Sequence, residues 1–126
     1  MVRKLNHTRY RVTDLEKTIS FYKDVLGLQE VRRSKSPRGS ELVFLKAPES
    51  DELIEICCFP ASGPINITGQ DVTHLAFDVD DLDAFAKHAA SKGYPLSDGP
   101  TASSNGKFAF IDAQEGYEIE LLERNA

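Results

Sequence analysis

The chain has 126 residues, 40% hydrophobic and 28% charged, which suits one globular unit and excludes a disordered chain. Fifteen Lys and Arg against 20 Asp and Glu leave a net charge of −5, which argues against a nucleic-acid partner. No apolar run approaches the ~20 residues that span a bilayer, and the adjacent Cys57 and Cys58 are too few to staple a secreted domain. The start, MVRKLNHTRY, lacks the apolar stretch of a signal peptide, so the expectation is a cytoplasmic protein with a small-molecule ligand and no membrane partner.

In chain order, residues 5–12 alternate as a short strand. A helix follows, with Thr13 and Glu16 as a capping box, Leu15, Ile19, Tyr22 and Leu26 as its buried stripe, and Gly27 as the stop. Three strands come next, over 28–33, 41–46 and 53–59, with SKSPRGS as a turn between the first two. Arg32, Arg33, Lys35 and Arg38 read as a solvated hairpin tip. PASGPINITGQ reads as a linker. The order then repeats: a strand over 73–79, a helix capped by Asp80 or Asp81 with the stripe Leu82, Phe85, Ala86 and Ala89, a stop at Gly93, and strands over 94–97, 107–112 and 117–123, with SDGPTASSNG as a turn.

The repetition is residue by residue. His7 falls on His74, Val12 on Val79, Asp14 on Asp81 and Leu15 on Leu82, all 67 residues apart. Gly27 falls on Gly93 and Phe44 on Phe110, 66 apart, and Glu55 on Glu120, 65 apart. The expected architecture is therefore α+β: two tandem βαβββ modules, residues 3–59 and 70–124, within one domain over 1–126.

Alternation decides which side chains share a sheet face. His7, Arg9 and Arg11 oppose Thr8, Tyr10 and Val12; Glu55, Cys57 and Phe59 oppose Ile54, Ile56 and Cys58. In the second half His74, Ala76 and Asp78 oppose Leu75, Phe77 and Val79; Glu118, Glu120 and Leu122 oppose Tyr117, Ile119 and Leu121. Any one His or Glu in a strand is unremarkable, but matched pairs at repeat-related positions make a coherent set: His7, Glu55, His74 and Glu120 as ligands of one divalent metal. Imidazole and carboxylate suit a borderline or hard ion, two carboxylates balance its charge, and four ligands leave two octahedral positions open. Cys57 shares the Glu55 face as a pocket-lining thiol, Cys58 reads as core, and His88 as a surface residue.

HTRYRVTDLEKTISFYKDVLGL, LIEICCF, VTHLAFDVDDL and GYEIELLE resemble the vicinal oxygen chelate superfamily, and the His/Glu/His/Glu set resembles that of the bacterial glyoxalase I (lactoylglutathione lyase) family. The resemblance implies cupped mixed sheets with helices outside and a homodimer with sites at the subunit interface. It implies nickel or zinc as the metal, with cobalt or manganese as alternates. The implied activity converts the hemithioacetal of methylglyoxal and a thiol to an S-lactoyl thioester. It assigns Glu120 as the base, with Glu55 as the second catalytic carboxylate, and Arg11 as the holder of a glutathione carboxylate. Phe59 stands where the family has an asparagine that contacts the peptide, and Lys107 is the substitute for a basic residue absent from the start of PTASSNGK. Two alternatives stay open: an enzyme like methylmalonyl-CoA epimerase or another metalloenzyme of the superfamily, or a metal-free small-molecule-binding protein of the same fold.

Overall fold

The computed structural model describes residues 1–59, 63, 65, 67 and 72–125. Apart from residues 63, 65 and 67, the expected linker PASGPINITGQ lies outside the described residues. The chain divides into two compact units, residues 1–65 and 66–126.

The first unit runs β1 (His7–Val12), α1 (Leu15–Ser20), β2 (Gln29–Lys35), β3 (Glu41–Lys46) and β4 (Leu53–Cys58). Its sheet has the order β1-β4-β3-β2, with β1 parallel to β4 and the other pairs antiparallel. The second runs β5 (Leu75–Asp78), α2 (Leu82–Ser91), β6 (Leu96–Ser103), β7 (Gly106–Asp112) and β8 (Glu118–Arg124), and its sheet order is β5-β8-β7-β6. Again the first strand pairs in parallel with the last. Both units are thus βαβββ modules with mixed four-stranded sheets, as the duplication requires.

Alternation sorts each sheet into two faces. In the first unit Tyr10, Val12, Val43, Leu45, Ile54 and Ile56 are buried on the face that takes α1, whose Leu15, Thr18 and Ile19 are buried in turn. In the second, Ala109, Ile111, Ile119 and Leu121 are buried on the α2 face with Leu82 and Ala89. Full burial of each large aliphatic side chain contributes about 1.5–3 kcal/mol.

Several expectations are corrected. The cap of α1 is Asp14, one residue after the expected Thr13, and its carboxylate accepts from the Lys17 amide at 3.0 Å. Asp81 caps α2 in the same way, accepting from the Ala84 amide at 3.0 Å. After Ser20 the helix widens into a π turn over Phe21–Val25. Phe21, Tyr22 and Val25 carry the buried face there, and the expected stripe residue Leu26 is only half-buried. Gly27, at φ +78°, ends the turn in the left-handed region that favours glycine. In α2, Phe85 and Ala86 are half-buried, leaving Leu82 and Ala89 as the closed anchors. Most of SDGPTASSNG is strand: β6 reaches Ser103, pairing with β7 through two register shifts. Bulges let a Gly- and Pro-containing segment stay in a sheet.

Candidate metal centre

The face opposite α1 carries His7 and Glu55. Glu55 lies on β4, one strand from β1, in the register Arg9↔Glu55, and its side chain is only 6% exposed. A carboxylate in so closed a place needs partners. One oxygen, Oε1, accepts from Arg9 Nε at 2.8 Å, and the other, Oε2, lies 3.3 Å from His7 Nε2. The other ring nitrogen of His7, Nδ1, donates to Asn6 Oδ1 at 2.7 Å. In the neutral ring that bond leaves Nε2 as the lone-pair nitrogen, the form in which imidazole takes a metal; in the charged ring Nε2–H donates to Glu55 Oε2.

The second unit holds the repeat-related arrangement. His74 Nε2 lies 3.1 Å from Glu120 Oε1, with the Glu120 side chain 21% exposed. A phenylalanine meets each histidine in a T-shaped contact: Phe44 at 5.7 Å from His7 and Phe110 at 5.8 Å from His74. Phe44 also takes the Arg32 guanidinium over its ring at 4.0 Å. Each histidine is thereby braced by an aromatic edge and a carboxylate.

The donor chemistry fits a divalent ion. Nitrogen and oxygen ligands about 2.1 Å from one ion and at right angles lie roughly 3 Å apart, close to the two His–Glu distances. Each unit supplies two such donors. Among the described residues no group of three or more His, Cys, Asp and Glu side chains gathers; each unit by itself brings two donors together.

Beside His7 and Glu55, a cavity of about 370 Å³ is lined by Arg9, Arg11, Arg38, Cys57 and Phe59, together with hairpin residues. Arg11, Cys57 and Phe59, three of the expected substrate contacts, thus share one cavity. Lys107, the fourth, is not brought to the His74 face. Alternation along β7 puts Phe108 and Phe110 on that face and turns Lys107 to the helix side, where its ammonium meets Asp83 of α2 at 3.0 Å and Glu123 at 3.9 Å. The hydrogen bond to Asp83 holds the Lys107 ammonium above its ordinary value. Asp78 lies 3.7 Å from Arg124 and does not brace His74. Cys58 donates to the Thr13 carbonyl at 3.5 Å within the core face.

Arg32, Arg33, Lys35 and Arg38 are all exposed, as expected of a solvated hairpin tip, and three of them also have distinct partners. Arg33 binds Glu16 of α1 at 2.6 Å and Glu30 at 2.9 Å, Arg32 crosses to Phe44, and Arg38 enters the cavity. The role of Arg9 at Glu55 was missed. Alternation places Arg9 on the His7 face, but the pairing needs the parallel register of β1 with β4.

Two βαβββ modules, each with a His–Glu pair on the face away from its helix, define a vicinal oxygen chelate protein. Residues 4–121 match the Glyoxalase/Bleomycin resistance protein/Dioxygenase superfamily, and the chain belongs to it. It is 32% identical over 124 residues to the lactoylglutathione lyase of Haemophilus influenzae, covering 95% of this chain and 92% of that one. Among solved structures, the trypanothione-dependent glyoxalase I of Leishmania major is 28% identical with a TM-score of 0.78, over 97% of this chain and 87% of that one. An antibiotic binding protein from Streptomyces sp. CB03234 shares the fold at a TM-score of 0.79 and 21% identity, over 98% of both chains.

Proposed function

We propose that the chain is a metal-dependent isomerase of the glyoxalase I type, acting on the hemithioacetal of methylglyoxal and a thiol such as glutathione. The observation that carries this reading is the duplicated His–Glu pair, at 3.3 Å in one unit and 3.1 Å in the other. His7, Glu55, His74 and Glu120 together hold one divalent ion, nickel or zinc, with cobalt or manganese as alternates. That ion supplies Lewis-acid stabilisation of the negative charge that develops on the substrate's oxygens.

The protein's own part is positioning and proton transfer. Glu120 takes the proton from the thiol-bearing carbon and returns it to the neighbouring carbon, so the product is an isomer with no atom gained or lost. Glu55 is the second carboxylate of the site. The cavity with Arg9, Arg11 and Arg38 suits the anionic arm of the thiol, with Cys57 and Phe59 as its less polar wall. A homodimer with the sites at its interface and a cytoplasmic location complete the reading.

The test is a methylglyoxal–glutathione assay on metal-stripped protein reloaded with nickel, cobalt or zinc in turn. Turnover that appears only on reloading, and falls about 10²–10⁴-fold in Glu120→Gln, is the expected result. No turnover with any metal, while a small molecule still binds, would favour a binding protein of this fold.

A further inference from the structure

We infer that Arg9 makes the two glutamates unequal: it is a positioning residue that keeps Glu55 a fixed carboxylate and leaves Glu120 free to move as the base. The inference rests on the glyoxalase-type reading above. Strand register aligns one row of side chains across each sheet. In the first unit the row is Arg9, Glu55, Phe44, Arg32; in the second it is Ala76, Glu120, Phe110, Asp98. The Glu and Phe recur, and the residue flanking the Glu on the first strand changes from Arg to Ala.

That difference is visible in the carboxylates. Glu55 has both oxygens engaged, one by Arg9 at 2.8 Å and one by His7 at 3.3 Å, and keeps 6% of its side chain exposed. Glu120 has His74 at 3.1 Å on one oxygen and is 21% exposed. A carboxylate that acts as base has to release a holder and rotate toward a C–H bond. For Glu55 that means breaking a charge-assisted hydrogen bond, which depletes the released state roughly 10- to 100-fold. Ala76 has no donor with which to hold Glu120.

The test is a double-mutant cycle that combines Arg9→Met or Arg9→Lys with Glu55→Gln or Glu120→Gln. The first readout is Ni²⁺ affinity by calorimetry. The affinity lost through Glu55→Gln is expected to shrink at least about tenfold when Arg9 is Met, because an unheld Glu55 contributes less. The loss through Glu120→Gln stays the same within about threefold, and Lys at position 9 restores the native pattern. The second readout is turnover: residual activity of Glu120→Gln rises at least about tenfold when Arg9→Met frees Glu55 to take the proton. A merely structural Arg9 would change thermal stability and neither coupling. Ni²⁺ binding with penalties that ignore residue 9 overturns this inference alone. Absence of Ni²⁺ binding by the unaltered chain overturns the glyoxalase reading and this inference together.

Discussion

Single residues decide how closely the strands of each module can approach. Gly106 opens β7 at φ +151°, and a Cβ there would strike the Glu123 carbonyl oxygen and crowd Arg124 Cα at 3.0 Å. These are backbone atoms of the paired strand β8, so no side-chain rotation relieves the contact. Gly106→Ala should therefore cost about 2 kcal/mol or more and lower the melting temperature by about 5–10 °C. Calorimetry checks this, and an unchanged melting temperature would show that the β7–β8 register is drawn wrongly. At the same scale, alternation is enough to place His7, Arg9, Arg11, Glu55 and Glu120 on their faces. It cannot reveal Arg9 beside Glu55, because those residues lie 46 apart in sequence and meet only through a parallel pairing that leaves no local signature.

At the scale of elements, Arg33 fastens α1 to β2 by binding Glu16 and Glu30. Its hydrogen bonds hold both carboxyls below the ordinary 4.5, with desolvation the weaker, opposing effect. A carboxyl lowered in the folded state contributes stability fully above its unfolded value and loses it as the pH falls through the folded value. Arg33→Met should thus be less stable than the native chain at pH 7 by a small amount, since the pairs are exposed. The difference should narrow as the pH falls below 4.5 and the carboxyls take up protons. Urea unfolding at pH 7 and at successively lower pH measures it; a gap that stays constant would mean the pairs contribute nothing. Element types were legible where periodicity was clean, as in ELVFLK and LIEICC, whose strands fall at 41–46 and 53–58. They were not legible in LSDGPTAS, where Gly99 and Pro100 signal a turn and only pairing with β7 through bulges makes a strand. The π turn after Ser20 was hidden for a related reason: FYKDV satisfies an ordinary helix as well as a widened one.

At the scale of the whole molecule, duplication is the organising fact. Two modules share a strand order, a parallel first-to-last pairing, an Asp cap and a His–Glu–Phe cluster, and each cluster contributes half of the proposed ligand set. The matched spacings of His7 with His74 and Glu55 with Glu120 made the two repeat-related His–Glu pairs legible in the sequence. The proposed homodimer predicts that metal-loaded protein sediments at micromolar concentration with twice the mass of one chain, and a metal-loaded monomer would refute it.

The central claim is that the two half-sets bind one ion, and metal stoichiometry after exhaustive dialysis tests it most directly. Unaltered protein exposed to Ni²⁺ should retain about one ion per chain, and the His7→Ala/His74→Ala double variant less than about a tenth of that. A double variant that still holds one ion per chain would place the metal elsewhere and contradict the account.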